Sequence, residues 1–324
     1  MADTTPAAQL DELLSTTFEK VKPVLADQIT DENPLLAALD AKSSVKVDGG
    51  TEIVKPVLYA FNDTVGSYND YDLIDTTPQD GFGNARYQWK QYAGSVTISG
   101  RDERINAGSA RIIALLQSKI EQLRISIEED LNATLWGDGT GNSGKDFLGI
   151  QALVGDGIVK GSATLGGIDS DADGQSWWRS QVQNGLDLTT ADGLRTMESV
   201  RNSRRLAKSK PDLIFADQEA YEAYTALAVD KLRFTSTAMA DLGFDATAFH
   251  NAEVIFEEDV PDNTMYFLNS KFIEFVKHSD CWMDMGPFRS PVNQDAKTAL
   301  VLSMGELVTD VRRAHAVIYN ITSA

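Results

Sequence analysis

Leu116, Ile120, Leu123, Ile127, Leu131 and Leu135 recur in steps of 4, 3, 4, 4 and 4. That spacing predicts a helix over 105–136 with one apolar face. Glu121, Glu128, Glu129 and Asp130 fall on its other faces. At 1.5 Å per residue it would run roughly 45 Å, long for a helix inside one compact domain. Gly137 follows Trp136 as its stop signal.

The pattern before this helix is different. Leu10, Leu13, Leu14, Phe18 and Val21 share one face of a short helix that Pro23 ends. A second short helix is expected from Asn33-Pro34, with Leu35, Leu36 and Leu39 as its apolar side. Two such helices cannot build a core, so residues 1–50 read as an arm that must lie on another surface. From 51 to 104 the period changes to two. Val54, Val57, Leu58, Tyr59 and Phe61 mark a strand interrupted by Pro56, and a polar tip follows at Thr76–Asn84. Tyr87 and Trp89 then alternate with polar neighbours, and Val96 and Ile98 continue the strand past Gly94. The segment reads as a long two-stranded excursion. A hairpin of that kind is marginal alone, so its aromatics are expected to contact something else.

Beyond residue 160, short strands and helices alternate. A helix opens at Thr189-Thr190 and carries Leu194, Met197 and Val200. Strands are expected at Leu213–Phe215, Val254–Phe256, Met265–Leu268 and Phe272–Val276, with a helix capped by Asp217 after the first of them. The final segment from Thr298 holds two strand stretches around a polar middle.

Composition narrows the classes. A hydrophobic share of 42% and a charged share of 24% belong to a folded globular chain. With 29 Lys+Arg against 48 Asp+Glu the net charge is -19, which opposes nucleic-acid binding through a broad basic surface. The single cysteine, Cys281, excludes an internal disulfide and a cysteine metal cluster. Neither a signal peptide nor a membrane-length apolar run is visible, so a cytosolic protein with no membrane partner is expected.

Four features raise the question of chemistry. In GDGTGNSGKDFLGI, residues 137–150, Gly139, Gly144 and Lys145 approach the phosphate-loop pattern. That loop needs a strand entering and a helix leaving; here a helix enters and FLGIQALV leaves as strand-like chain. Asp146 also stands where a hydroxyl should hold magnesium. DSDADG places Asp169, Asp171, Asp173 and Gly174 as in the start of a calcium loop, making the three aspartates a calcium candidate, although Ser180 occupies the place of the closing glutamate. His250, His278 and His315 lack metal-ligand spacing, and His278 with Cys281 lacks a nameable orienting group. The run Arg201, Arg204, Arg205, Lys208, Lys210 closes a helix and reads as a solvated, dipole-matched face. No catalytic residue and no cofactor are expected.

The order of these parts resembles the major capsid protein of tailed bacteriophages, the Hong-Kong-97-type fold. LWGDGTGNSGKDFLGIQALV, PDLIFADQEAYEAYTAL, AEVIFEEDVPDNTMYFLN and the closing LVTDVRRAHAVIYNI carry the resemblance. It implies an α+β fold in five parts. These are an N-terminal arm (1–50), an extended β-hairpin loop (51–104), a spine helix with the first part of a peripheral domain (105–159), an axial domain (160–285) and peripheral return strands (286–324). It implies that Leu10, Leu14, Phe18, Tyr87, Trp89, Lys90 and Tyr92 contact neighbouring subunits. It further implies pentamers and hexamers in a virion shell assembled in the host cytoplasm around double-stranded DNA, without sequence-specific contacts. Portal and decoration proteins are implied partners, and the Met1 start favours a separate scaffolding protein. The loop tip has no lysine for an intersubunit cross-link, so non-covalent assembly is expected. An encapsulin-like compartment and a calcium-dependent surface protein are the alternatives.

Overall fold

The computed structural model describes residues 34–105, 109–204, 209–228 and 246–323. Its longest element, helix α3 (Ser109–Trp136), has 28 residues, about 42 Å of helix. Leu116, Ile120, Ile127, Leu131 and Leu135 are buried, as their spacing requires. The helix lies on strand β4 (Lys90–Ser99). Gly94 permits the close approach: a Cβ there would stand 2.8 Å from Leu123 Cδ1 and 3.1 Å from Ile127 Cδ1.

Two sheets carry the rest. The first has five strands around the long β14 (Ala296–Thr309). β4 pairs antiparallel along one edge. β12 (Ile273–His278) and β13 (Asp284–Met285) share the other, and β1 (Ser44–Val47) adds parallel to β12. The second sheet has the order β7-β15-β11-β8-β10-β9. Its members are β7 (Gln181–Asp187), β8 (Leu213–Ala216), β9 (Ala246–Phe249), β10 (Ala252–Phe256), β11 (Thr264–Leu268) and β15 (Ala316–Thr322). All of β8 and β11 is buried, the pattern of central strands covered on both faces. Helices α6 (Ala191–Ser203) and α7 (Gln218–Ala228) pack on one face through Met197, Val200, Ala220 and Tyr224. The other face meets the end of the spine helix, where Trp136 stands edge-on to Phe215 at 5.2 Å.

Several expectations are corrected. The hairpin is β2 (Ile53–Leu58) with β3 (Phe82–Tyr87) only; the chain then turns, and Val96 and Ile98 belong to the first sheet on β4. The 160–285 unit is not continuous, because β12 and β13 cross back into the first sheet. The closing strand β15 lies in the second sheet, between β7 and β11. FLGIQALV is not strand-like: Ile150–Leu153 forms a helical turn, α5, with Phe147, Ile150, Ala152, Leu153 and Val154 buried. Gly149 is essential to that turn, since a Cβ would fall 2.2 Å from Gly137 O. The second arm helix, α1 (Pro34–Ser43), is covered by its own chain: Leu35, Leu36 and Leu39 are fully buried and it packs beside β12. The first arm helix, with Leu10, Leu14 and Phe18, lies outside the described residues.

Candidate interaction surface

Residues 59–81, between β2 and β3, contain no strand or helix. The segment is closed at its base by the Tyr59 N–H donating to Gly81 O at 2.9 Å. Along its length short polar turns hold it: the Thr64 N–H donates to Asn62 Oδ1, the Asn69 N–H to Asp72 Oδ2 and the Thr77 N–H to Asp75 Oδ1. These local turns replace a core and leave the apolar side chains outside. Tyr71 is 99% exposed and Leu73 100%, with Phe61, Val65, Tyr68, Ile74 and Phe82 also exposed. So many large apolar groups on one connection mark an interaction surface.

The base of this segment is tied to the body. Lys55 on β2 is paired with Glu274 on β12. The Arg86 N–H donates to Gly166 O at 2.8 Å, in the turn of the two-residue ladder β5 (Thr164–Leu165) and β6 (Ile168–Asp169). Tyr87, expected as a contact to a neighbour, is 2% exposed within its own chain and its hydroxyl donates to Thr309 O at 2.7 Å. Burial pushes its phenol pKa up. It is a core residue, because the inward face of β3 packs over the end of β14.

Trp89 is also turned inward in part: its ring stands edge-on to His278 at 5.7 Å and its Nε1 is buried without an acceptor. Trp89→Ala should therefore destabilise the single chain by about 2 kcal/mol, seen in thermal unfolding; an unchanged melting curve would mean that its packing is intermolecular. Lys90 reaches Gly144 O, and the Tyr92 hydroxyl bonds Asp130 on α3. Lys90 thus ties β4 to the glycine loop and Tyr92 ties it to the spine helix.

At the junction of the two sheets lie the groups that sequence reasoning missed. Residues 310–315 connect β14 to β15. Arg312 is fully buried there, with Nε donating to Leu153 O at 2.9 Å and Nη2 to Ala152 O at 3.2 Å. Desolvation lowers its pKa to about 10. His315, also fully buried, accepts from the Asn269 N–H through Nδ1 at 3.2 Å, and desolvation lowers its pKa to about 4. Glu306 is fully buried on β14; Oε1 accepts from the Leu148 N–H at 2.7 Å and the Leu307 N–H at 3.0 Å. Burial raises its pKa to about 8 despite those bonds and the Lys90 charge. The Asn132 amide joins α3 to Glu257, at 2.8 Å, and to Asp259. Burial raises the Glu257 pKa to about 7. These are ionisable groups of catalytic type, but each bonds a backbone or side-chain partner that joins two elements. Only the polar middle of the last segment hinted at them.

The three aspartates of the calcium candidate are not gathered into one cage. Asp169 Oδ1 accepts from the Asp171 N–H at 3.0 Å, Asp171 pairs with Arg179 at 3.0 Å, and the buried Ser180 hydroxyl donates to Arg312 O. Among the described residues no group of three or more His, Cys, Asp or Glu side chains could hold a metal ion. In the glycine loop, Asn142 and Ser143 adopt left-handed φ values of 48° and 61°, and Lys145 is exposed. The loop is a turn between α3 and α5, whose buried side enters the core through Phe147.

A two-sheet α+β body, a long helix across both sheets and an extended loop are the parts of the Hong-Kong-97-type fold. The capsid asymmetric unit of cyanophage A-1(L) superposes with a TM-score of 0.63 at 17% identity, covering 90% of this chain and 94% of that one. The capsid of a native GTA particle gives 0.58 at 12% identity, covering 88% and 90%. The holo-SrpI encapsulin complex of Synechococcus elongatus gives 0.55 at 13% identity, covering 91% and 90%. No family model and no curated protein sequence matches the chain.

Proposed function

We propose that this chain is the structural shell subunit of a tailed double-stranded-DNA bacteriophage, forming pentamers and hexamers of an icosahedral capsid. It has no enzymatic role in this reading. The observation that carries it is the loop 59–81, which exposes large apolar side chains beside a core that is complete without them. A neighbouring copy is the surface that such a loop fits, and association would bury it at about 25 cal/mol per Å². The acidic chain suits a container that holds DNA without binding its sequence. The shell forms in the host cytoplasm and ends in the virion. A separate scaffolding protein, a portal and a decoration protein are the partners such a shell uses.

Electron microscopy of the expressed full-length chain should show closed shells; a protein that stays monomeric at high concentration defeats the reading. Because residues 59–81 contain no lysine, shells should dissociate in denaturing electrophoresis to one band of single-chain mass. A ladder of multiples contradicts non-covalent assembly. The encapsulin likeness supports a second reading, a protein compartment enclosing protein cargo. Particles purified from an infected host that contain protein cargo and no DNA would favour it.

A further inference from the structure

The second sheet is electrically polarised along its strands. β8 and β10 run parallel, and β11 runs against them, with Leu268 opposite Leu213 and Met265 opposite Ala216. Residues just before β8 therefore gather with those just after β11, and residues just after β8 gather with those just before β11. The two ends lie about 15 Å apart, at ~3.3 Å per residue.

One end is acidic. A concavity of about 500 Å³ is lined, among the described residues, by Asp217, Glu219, Glu258 and Asp262 and by no basic residue. Asp217 is 6% exposed; one carboxylate oxygen accepts from the Asn263 N–H at 3.0 Å, while Oδ1 has no hydrogen-bond partner. That buried oxygen sits in the wall of a site that no basic group among the described residues lines.

The opposite end is basic, in a chain whose net charge is -19. A concavity of about 580 Å³ there holds Arg201, Lys210 and Lys271. Its two carboxylates, Asp212 and Glu198, act on Arg201, so Lys210 and Lys271 are the excess positive charge of the concavity. Close by, the Arg204 guanidinium pKa is lowered by burial and by the like charge of Arg313.

We propose that copies of this chain join head to tail, the acidic concavity of one receiving the basic end of the next. The contact rests on the shell reading above and supplies its ring-forming interface. Unlike surfaces that meet repeatedly through a rotation close into a ring, whereas a self-complementary patch would stop at a dimer. Opposite charges at the two ends also disfavour head-to-head and tail-to-tail pairing.

The test uses two variants of the full-length chain. In K210E/K271E the basic end becomes acidic; in E258K/D262K the acidic end becomes basic. All four positions lie at the surface ends of elements, so both variants should keep the wild-type melting temperature. Each alone should need at least about tenfold more protein to assemble. Mixed together they should assemble again, because each contact then joins opposite charges. Alternation fits a ring of six but not of five, so native mass spectrometry of the mixture should show hexamers without pentamers. Wild-type assembly by either variant alone, or a mixture that stays unassembled, overturns the proposal and leaves the shell reading intact. Loss of bound DNA with normal assembly in K210E/K271E would assign the basic end to nucleic acid and also overturn it. A wild-type chain that forms no particles removes the shell reading itself, and this contact with it.

Discussion

Replacing Tyr71, Leu73 and Ile74 together by serine should abolish particle formation without moving the melting temperature of the single chain. The three side chains are 99%, 100% and 62% exposed, so the monomer gains nothing from them that serine removes. Surface substitutions of this kind usually change stability by no more than about 0.5 kcal/mol. In a shell the same side chains would be covered. Full burial of one such residue is worth about 1.5–3 kcal/mol, so three would remove several kcal/mol from every intersubunit contact. That difference between folding and assembly is the signature. Light scattering and circular dichroism on one preparation read both. Normal shells from the triple variant would remove the loop from the interface, and a collapse of monomer stability would make its side chains part of the core.

Glu306→Gln should flatten the pH dependence of stability between about pH 5 and pH 8. The carboxyl is fully buried and its pKa rises from 4.5 to about 8 on folding, chiefly by desolvation. The folded state thus holds a proton that the unfolded chain releases above about 4.5. This contribution is complete below that pH and is lost as pH rises through 8. The glutamine keeps an oxygen for the Leu148 and Leu307 N–H groups and never ionises. Its own unpartnered amide shifts stability equally at every pH. The difference in unfolding free energy between variant and wild type should therefore grow steadily toward pH 8, reaching the order of a few kcal/mol. Glu257 titrates in the same direction but is present in both proteins, as is His315, so the difference isolates residue 306. A constant difference across the range would show that Glu306 is ionised in the fold.

What could be read from the chain alone follows from what is local. The spine helix was legible because its apolar steps match the helical period over many turns. β8 and β11 were legible because a wholly buried strand is a nearly uninterrupted apolar run, and β10 because of its apolar end, residues 254–256. Partnership was not legible. Nothing in IEFVKH says that β12 pairs with β1, more than 200 residues earlier, rather than with its neighbour β11. Tyr87 and Trp89 show the same limit: their alternation fixes that they share a face, while the identity of the covering surface depends on where β14 ends. FLGIQALV was misread because a short apolar run fits a buried helical turn as well as a strand. At the candidate surface, loop residues such as Tyr71 and Leu73 have no period at all, and their exposure comes from turns that only the three-dimensional structure displays.

The order in which the chain leaves the ribosome gives the two crossings of 296–322 a further meaning. β14 is the strand on which the first sheet is organised, and β15 lies between β7 and β11 in the second. Until these last segments emerge, β4 has nothing to pair with and β7 is cut off from the rest of its sheet. At roughly 5–20 residues per second, most of the chain waits many seconds for its central strands. A chain that lacks these segments thus presents neither sheet in finished form.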